Sequence, residues 1–216
     1  MSETYLEQAI AWLPSEAACR EAALTANGGM VEEGATWPYL WPGGLRLAAD
    51  LSTLLPTDAH SLQSAHVVDL GCGRGLLGMA ALALGFRRVT FVDGDSSPLD
   101  LLRPLLNNFP GASCATVSWG QAISGDGADY ILGGDVLYRP EFHPALLRSI
   151  ANSLKTYGIA YLGDPRSQLE NNLPELAANQ DCLLTTSHRP GPYSLCTITR
   201  TSGALPAQPP QSPTTI

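Results

Sequence analysis

The stretch 67-VVDLGCGRG-75 constrains this chain more than any other. Four strand-like residues carrying an acid, Asp69, run straight into Gly71, Gly73 and Gly75, and the apolar helical run 76-LLGMAALALG-85 follows at once. Glycine admits tight or left-handed turns and lets a ligand touch bare backbone. The helix N-terminus behind such a turn supplies unpaired N–H groups and positive potential. This order predicts a ligand turn, although a plain tight strand-to-helix crossover satisfies the same residues. Taken literally, Gly73, Gly75 and Gly78 also fit G-x-G-x-x-G. The first of these does not end the strand, however, and a nicotinamide or flavin site does not ask for an acid at Asp69.

The rest of the chain alternates in a βα rhythm. Apolar spacing predicts helix over 4–27, broken at Pro14, and over 45–55, with an irregular Trp/Pro/Gly-rich segment at 34–44 between them. Short strands are expected at 67–70, 88–93, 114–119, within 128–138 and at 158–164, with helices at 76–85, 97–109, 142–154 and 168–180. The helix at 97–109 has Ser97 before Pro98 with Asp100 three residues on, a capping arrangement, and Pro104 is expected to bend it. Two β-rich runs, 182–188 and 194–200, read as an antiparallel pair at the sheet edge. The fold class is α/β: a doubly wound seven-strand sheet, Rossmann-like, mostly parallel with an antiparallel C-terminal edge pair. Residues 1–200 form one domain with an N-terminal helical extension (1–55), and 201–216, with four prolines and few core formers, reads as a disordered tail.

Composition removes several classes of function. Net charge is -8, and the 12 basic residues, of which Lys155 is the only lysine, form no cluster that a phosphate backbone requires, so nucleic acid is excluded. The five cysteines (Cys19, Cys72, Cys114, Cys182, Cys196) and four histidines show no metal-ligand spacing, and no metal is expected. The first residues carry acids and lack a basic region before an apolar core, and no apolar run approaches 18 residues. The expectation is a cytoplasmic protein without a membrane span, acting as a monomer.

The second strand ends in V-D-G-D, with Asp93 about twenty residues beyond the glycines. An acid there accepts hydrogen bonds from both hydroxyls of a ribose. Asp95 reads either as a further contact or as a solvent-facing acid near the next helix N-terminus. Asp135 and Tyr138 follow Gly133–Gly134, which leave room for a ligand, at the carboxyl end of a central strand. A carboxylate there anchors an amine and helps it shed a proton; a helix cap or loop brace is the other reading. Trp37 and Trp41 wall a pocket, while Trp119 is either a core indole or a stacking surface. Asp164 reads as a second wall of the acceptor site or as a turn before Pro165.

D-L-G-C-G-R-G resembles the first motif of the seven-strand, class I S-adenosylmethionine-dependent methyltransferases, with Asp93 as their ribose acid. The run 135-DVLY-138 resembles the D-x-x-Y signature of their protein-lysine methyltransferase branch, and 118-SWGQ-121 matches the place where that branch lays a tryptophan beside adenine. The segments 37-WPYLWPGGLRLA-48 and 162-LGDP-165 are most similar to the enzymes that methylate lysines of the electron-transfer flavoprotein beta subunit and to their bacterial relatives. The resemblance covers residues 34–200.

It implies S-adenosylmethionine as cofactor and S-adenosylhomocysteine as product. It also implies cofactor contacts from Trp41, Asp69, Gly71, Gly73, Gly75, Asp93, Ser118, Trp119 and Asp135, with Asp135 and Tyr138 catalytic. By the same likeness Trp41 lies near the methionine end of the cofactor and Trp37 nearer the acceptor. The implied acceptor is an amine nitrogen, foremost a protein lysine, with a small-molecule N- or O-acceptor as the alternative. A silent partner protein that keeps the fold, and a nicotinamide oxidoreductase, are disfavoured because the turn, the ribose acid and the strand-end acid occur together. The acceptor-facing loops carry less charge than a broad protein-docking face needs. The excess of 20 acidic over 12 basic residues matches a cationic acceptor in sign.

Overall fold

The computed structural model describes residues 4–26, 35–123, 125–164, 172–189 and 193–201. The tail expected over 201–216 lies outside them apart from Thr201, whose amide bonds the Asp181 carbonyl. The first part of the helix expected at 168–180 also lies outside; its remainder is Leu173–Ala178.

In the described residues seven strands form one sheet: β1 (His66–Leu70), β2 (Arg88–Asp93), β3 (Ala112–Thr116), β4 (Ala128–Gly134), β5 (Leu154–Asp164), β6 (Cys182–Arg189) and β7 (Tyr193–Arg200). Their order is β3-β2-β1-β4-β5-β7-β6. β1 to β5 pair in parallel, and β7 runs antiparallel to both β5 and β6. β7 therefore lies inside the sheet and β6 forms the edge. Burial explains the choice: Leu195, Cys196 and Ile198 of β7 are covered, whereas most of β6 after Leu184 faces solvent.

Among the described residues, eight α-helices flank the sheet: α1 (Thr4–Trp12), α2 (Glu16–Ala26), α3 (Pro42–Leu54), α4 (Ala59–Ser64), α5 (Leu76–Leu84), α6 (Ser96–Leu106), α7 (His143–Ser153) and α8 (Leu173–Ala178). Alternate strand residues feed two separate cores. Val67, Phe91 and Leu132 pack with Leu47, Leu51 and Met79 of α3 and α5. Val68, Leu70 and Ile131 pack on the other face with Leu146, Ile150 and Leu173 of α7 and α8. Covered on both sides, the early strands read as continuous apolar runs.

The break at Pro14 separates α1 from α2 as expected. Several boundaries differ from the sequence reading: β3 ends at Thr116 rather than 119, which leaves Trp119 beyond it, and β5 starts at Leu154 rather than 158. α3 begins at Pro42 rather than Leu45, because proline is pre-shaped for the first helical position and Trp41 serves as its N-cap residue. α6 is capped by Asp95 rather than Ser97; the Asp95 Oδ1 accepts from the Ser97 amide at 2.8 Å and from its hydroxyl at 2.7 Å. A carboxylate suits the positive helix end better than a hydroxyl does. The short α4, capped by Asp58, was not anticipated. At the amino ends of the strands, Lys155 pairs with Asp129 at 2.7 Å, and the same carboxylate oxygen takes the His66 amide at 2.8 Å. Among the described residues no helix is long and apolar enough to cross a membrane.

Candidate active site

A cavity of about 340 Å³ opens at the carboxyl ends of β1, β2 and β4, where the strand order reverses direction. Open α/β sheets bind ligands at this switch point. Trp41, Asp69, Gly71, Gly73, Asp93, Trp119, Asp135 and Tyr138 all line it.

The turn after β1 is pinned to β2. The Cys72 amide bonds the Val92 carbonyl at 2.9 Å, and the Gly73 amide donates to Asp93 Oδ2 at 3.0 Å. Gly71 and Gly73 hold φ of +65° and +47°, a backbone region that side chains rarely adopt. Asp93 Oδ1 accepts from the Asp95 amide at 3.0 Å. Burial pushes the Asp93 carboxyl up, while the amides of Asp95 and Gly73 pull it down. An ionised carboxylate keeps lone pairs beyond these two bonds, so ligand hydroxyls can still be accepted.

Asp69 is 2% exposed and accepts from the Gly78 amide at 2.8 Å, which braces the first turn of α5. Burial pushes its carboxyl up to about 8, against that hydrogen bond and with Asp93 adding to the rise. Gly75 caps α5 but points inward, since a Cβ there would meet Leu102 and Phe91. Gly75 and the exposed Ser118 are not among the cavity residues. Trp119 lies beyond β3, in a turn tied down by the Gly120 amide to Ser149 Oγ at 2.8 Å. Its indole edge sits 3.4 Å from where a Gly71 Cβ would be.

Asp135 adopts a left-handed φ of 56°, and its amide bonds the Gly163 carbonyl at 2.8 Å. Its Oδ2 accepts from the Gly44 amide at 2.8 Å, in the first turn of α3. The residue thus braces a helix terminus, the second of its two sequence readings, and borders the cavity as well. Gly134 borders the cavity and Gly133 does not, and at both the space a side chain would take is already filled by packing. A Cβ on Gly134 would lie 2.5 Å from Gly44 Cα, and one on Gly133 would lie 2.8 Å from Leu162 Cδ2. These glycines let α3 and the neighbouring strand press close. Asp164 is 2% exposed, opposite Ser194 in the sheet, and is not among the cavity residues.

Aromatic residues rim the mouth. Trp41 donates its indole N–H to the Thr36 carbonyl at 2.9 Å and meets Tyr39 edge-on at 6.3 Å. The Trp37 main chain rests on the glycine turn, its carbonyl 3.2 Å from where a Gly73 Cβ would be. Past Tyr138, Arg139 lies 6.0 Å from the Tyr138 ring centre and 5.6 Å from that of Phe142. Sequence reasoning missed Tyr39, Arg74, Arg139 and Phe142, and also Ala23 and Ala26 of α2, all of which line the cavity. Arg74 stood within the glycine motif itself, but the alanines carry no signal in sequence.

Solved structures share this architecture. A putative RNA methyltransferase from Pyrococcus horikoshii superposes with a TM-score of 0.62 at 16% identity, covering 93% of this chain and 98% of its own. A TehB-like SAM-dependent methyltransferase from Corynebacterium glutamicum gives 0.57 at 20% identity, covering 85% of this chain and 96% of that one. The fold is that of the class I methyltransferases. The chain belongs to the lysine methyltransferase family, whose model matches residues 22–173. It is 34% identical over 105 residues to protein N-lysine methyltransferase METTL21A of Xenopus tropicalis, a match covering 46% of this chain and 48% of that protein. The chain therefore spans about half the length of this relative. A ribosomal protein L11 methyltransferase of Shewanella baltica is 34% identical over 100 residues, 45% of this chain and 27% of that protein.

Proposed function

We propose that this chain binds S-adenosylmethionine in the switch-point cavity and methylates the side-chain amine of a protein lysine. The observation that carries the reading is the meeting of Gly73, Asp93 and Asp135 around one cavity, each fixed by a backbone hydrogen bond. The donor set fits such a cofactor: the Asp93 carboxylate for ribose hydroxyls, the Trp119 indole for a purine face, and aromatic rings at the mouth for a sulfonium. When bound, S-adenosylmethionine supplies an electrophilic methyl group.

The chain's own residues do the rest. A lysine amine, with a reference pKa near 10.4, has to shed its proton before it can attack. The Asp135 carboxylate holds that amine at the cavity wall and favours the orientation in which its lone pair points inward. Tyr138 flanks the approach. Beyond this, rate comes from holding the amine in line, with water kept out by Trp41 and the rim.

Protein acceptors are favoured over small molecules by family membership and by the names of the curated relatives. The narrower proposal, a lysine of the electron-transfer flavoprotein beta subunit, rests on the likeness of 37-WPYLWPGGLRLA-48 and 162-LGDP-165. A cytoplasmic monomer that does not engage nucleic acid completes the reading.

Calorimetry with S-adenosylhomocysteine and with NAD tests the cofactor; binding of the first alone is expected. Labelled methyl transfer into an extract of the source cells, before and after chemical blocking of lysines, tests the acceptor. Label that survives blocking, or that runs with small molecules, overturns the lysine assignment.

A further inference from the structure

Ala23 and Ala26 of α2 line the cavity, although α2 precedes the sheet in sequence. The pair α1–α2 is seated from several sides. Tyr5 donates to the Ala48 and Ala49 carbonyls of α3 at 2.7 and 2.8 Å, and Trp12 meets Phe109 edge-on at 5.0 Å. From the glycine turn, Arg74 reaches the junction of the pair. Its Nε and Nη2 donate to the Pro14 carbonyl at 3.2 and 2.7 Å.

That carbonyl is a leftover of helix geometry. The ladder of α2 begins one residue later, with the Cys19 amide on the Ser15 carbonyl, and Ser15 Oγ takes the Ala18 amide. A partly buried carbonyl at such a break needs a donor, and the planar guanidinium supplies two in fixed directions. Arg74 adjoins Gly73, whose amide orients Asp93.

We propose that Arg74 is a positioning residue that ties the α1–α2 pair to the glycine turn, making this pair a wall of the cofactor cavity whose seating and cofactor binding strengthen each other. The inference rests on the cofactor reading above. Coupling of this kind is reciprocal: whatever loosens the pair weakens the cofactor, and bound cofactor holds the pair in place. Cys19 of α2, 1% exposed and beside Arg74, reports the seating, because a thiol reagent reaches it only when α2 lifts away.

The test uses the whole chain. Calorimetry with S-adenosylhomocysteine compares wild type with Arg74→Met and Arg74→Lys. Arg88→Met, at the opposite end of β2, where the guanidinium bonds the Asp126 carboxylate, serves as control. Arg74→Met is expected to weaken binding about tenfold, the scale of losing two hydrogen bonds to one carbonyl. Arg74→Lys, with one directed donor, should recover part of it, and the control should bind as wild type. Should Arg74→Met fold poorly, wild type alone decides: S-adenosylhomocysteine should slow alkylation of Cys19, read by mass spectrometry. Unchanged affinity in Arg74→Met, or Cys19 alkylation insensitive to the ligand, overturns the coupling. Weakened binding without Cys19 protection assigns Arg74 a direct ligand contact and also overturns it. A wild type that binds no S-adenosylhomocysteine overturns the cofactor reading itself.

Discussion

The Gly44 amide donates a 2.8 Å hydrogen bond to Asp135 Oδ2, joining residues 91 positions apart in the sequence. One carboxylate therefore both anchors the first turn of α3 and borders the cavity. Removing it outright mixes the two roles, and a paired substitution separates them. Asp135→Asn keeps an acceptor for Gly44, so melting temperature and S-adenosylhomocysteine affinity should stay near wild type. The methyl-transfer rate should fall by about 10²–10⁴, the range for a positioned acid or base. Its residual rate should climb with pH as solvent supplies the neutral amine. Asp135→Ala should in addition lose about 1–3 kcal/mol of stability through the orphaned Gly44 amide. Rate–pH profiles and melting curves of both variants check this; equal rates for wild type and Asp135→Asn at neutral pH take Asp135 out of the chemistry.

Asp93→Ala should weaken S-adenosylhomocysteine binding by tenfold or more. Each charge-assisted hydrogen bond to a ribose hydroxyl is worth about 1.5–3 kcal/mol, and the Gly73 amide also loses its acceptor. Calorimetry reads the change, and unaltered affinity places the ribose elsewhere.

Asp69 gives stability a definite slope with pH. Its carboxyl stands at about 8 in the folded chain against an ordinary 3.8, so between those values the folded state binds more protons than the unfolded state. Stability of the ligand-free protein should therefore be highest at low pH as far as this group is concerned, and should decline as pH rises toward 8. Asp69→Asn keeps an acceptor for the Gly78 amide while removing the charge, and should flatten that slope. Denaturant melts across this pH window measure it; parallel slopes in wild type and variant refute the assignment.

Gly43→Ala should destabilise by about 1–3 kcal/mol, the usual cost of overpacking. The new methyl would lie 2.5 Å from the Gly163 carbonyl and 2.7 Å from Asp135 Oδ2, so α3 has to back away from the strands. Gly125→Ala, with nothing within 4 Å, is the matched control and should shift stability by less than about 0.5 kcal/mol. A Gly43→Ala melting curve that overlays the control removes the close helix–strand approach as a constraint.

Much of this was legible in the chain because local signals agreed with the global fold. The apolar strands, the break at Pro14 and the glycine turn beside Asp69 and Asp93 are statements about neighbouring residues, and the structure keeps them. What escaped depends on partners far away in sequence. Gly43–Gly44 looked like irregular backbone, since the acid that anchors them is Asp135. Gly133–Gly134 looked like space for a ligand, but only Gly134 borders the cavity, and their bareness also serves the packing of α3 and β5 against β4. Ser97 looked like the cap of α6, yet Asp95 offers a stronger acceptor two residues earlier. Arg74 sat in the motif in plain view, but nothing local says that its partner is the Pro14 carbonyl.

The lone lysine of this chain occupies the wrong end of the molecule to be its own substrate. Lys155 begins β5 and pairs with Asp129, while the cavity opens toward the far ends of the strands, a run of roughly 30 Å along β5 at about 3.3 Å per residue. Under the proposed lysine-methylating activity, the chain thus carries a single lysine decoy on itself. In a labelling experiment that tests this activity, mapping the single peptide that contains Lys155 separates methyl on the chain itself from methyl on an acceptor. The same scarcity offers a practical handle: an amine-reactive dye placed on Lys155 would mark the molecule at a single internal position, remote from everything the cavity does.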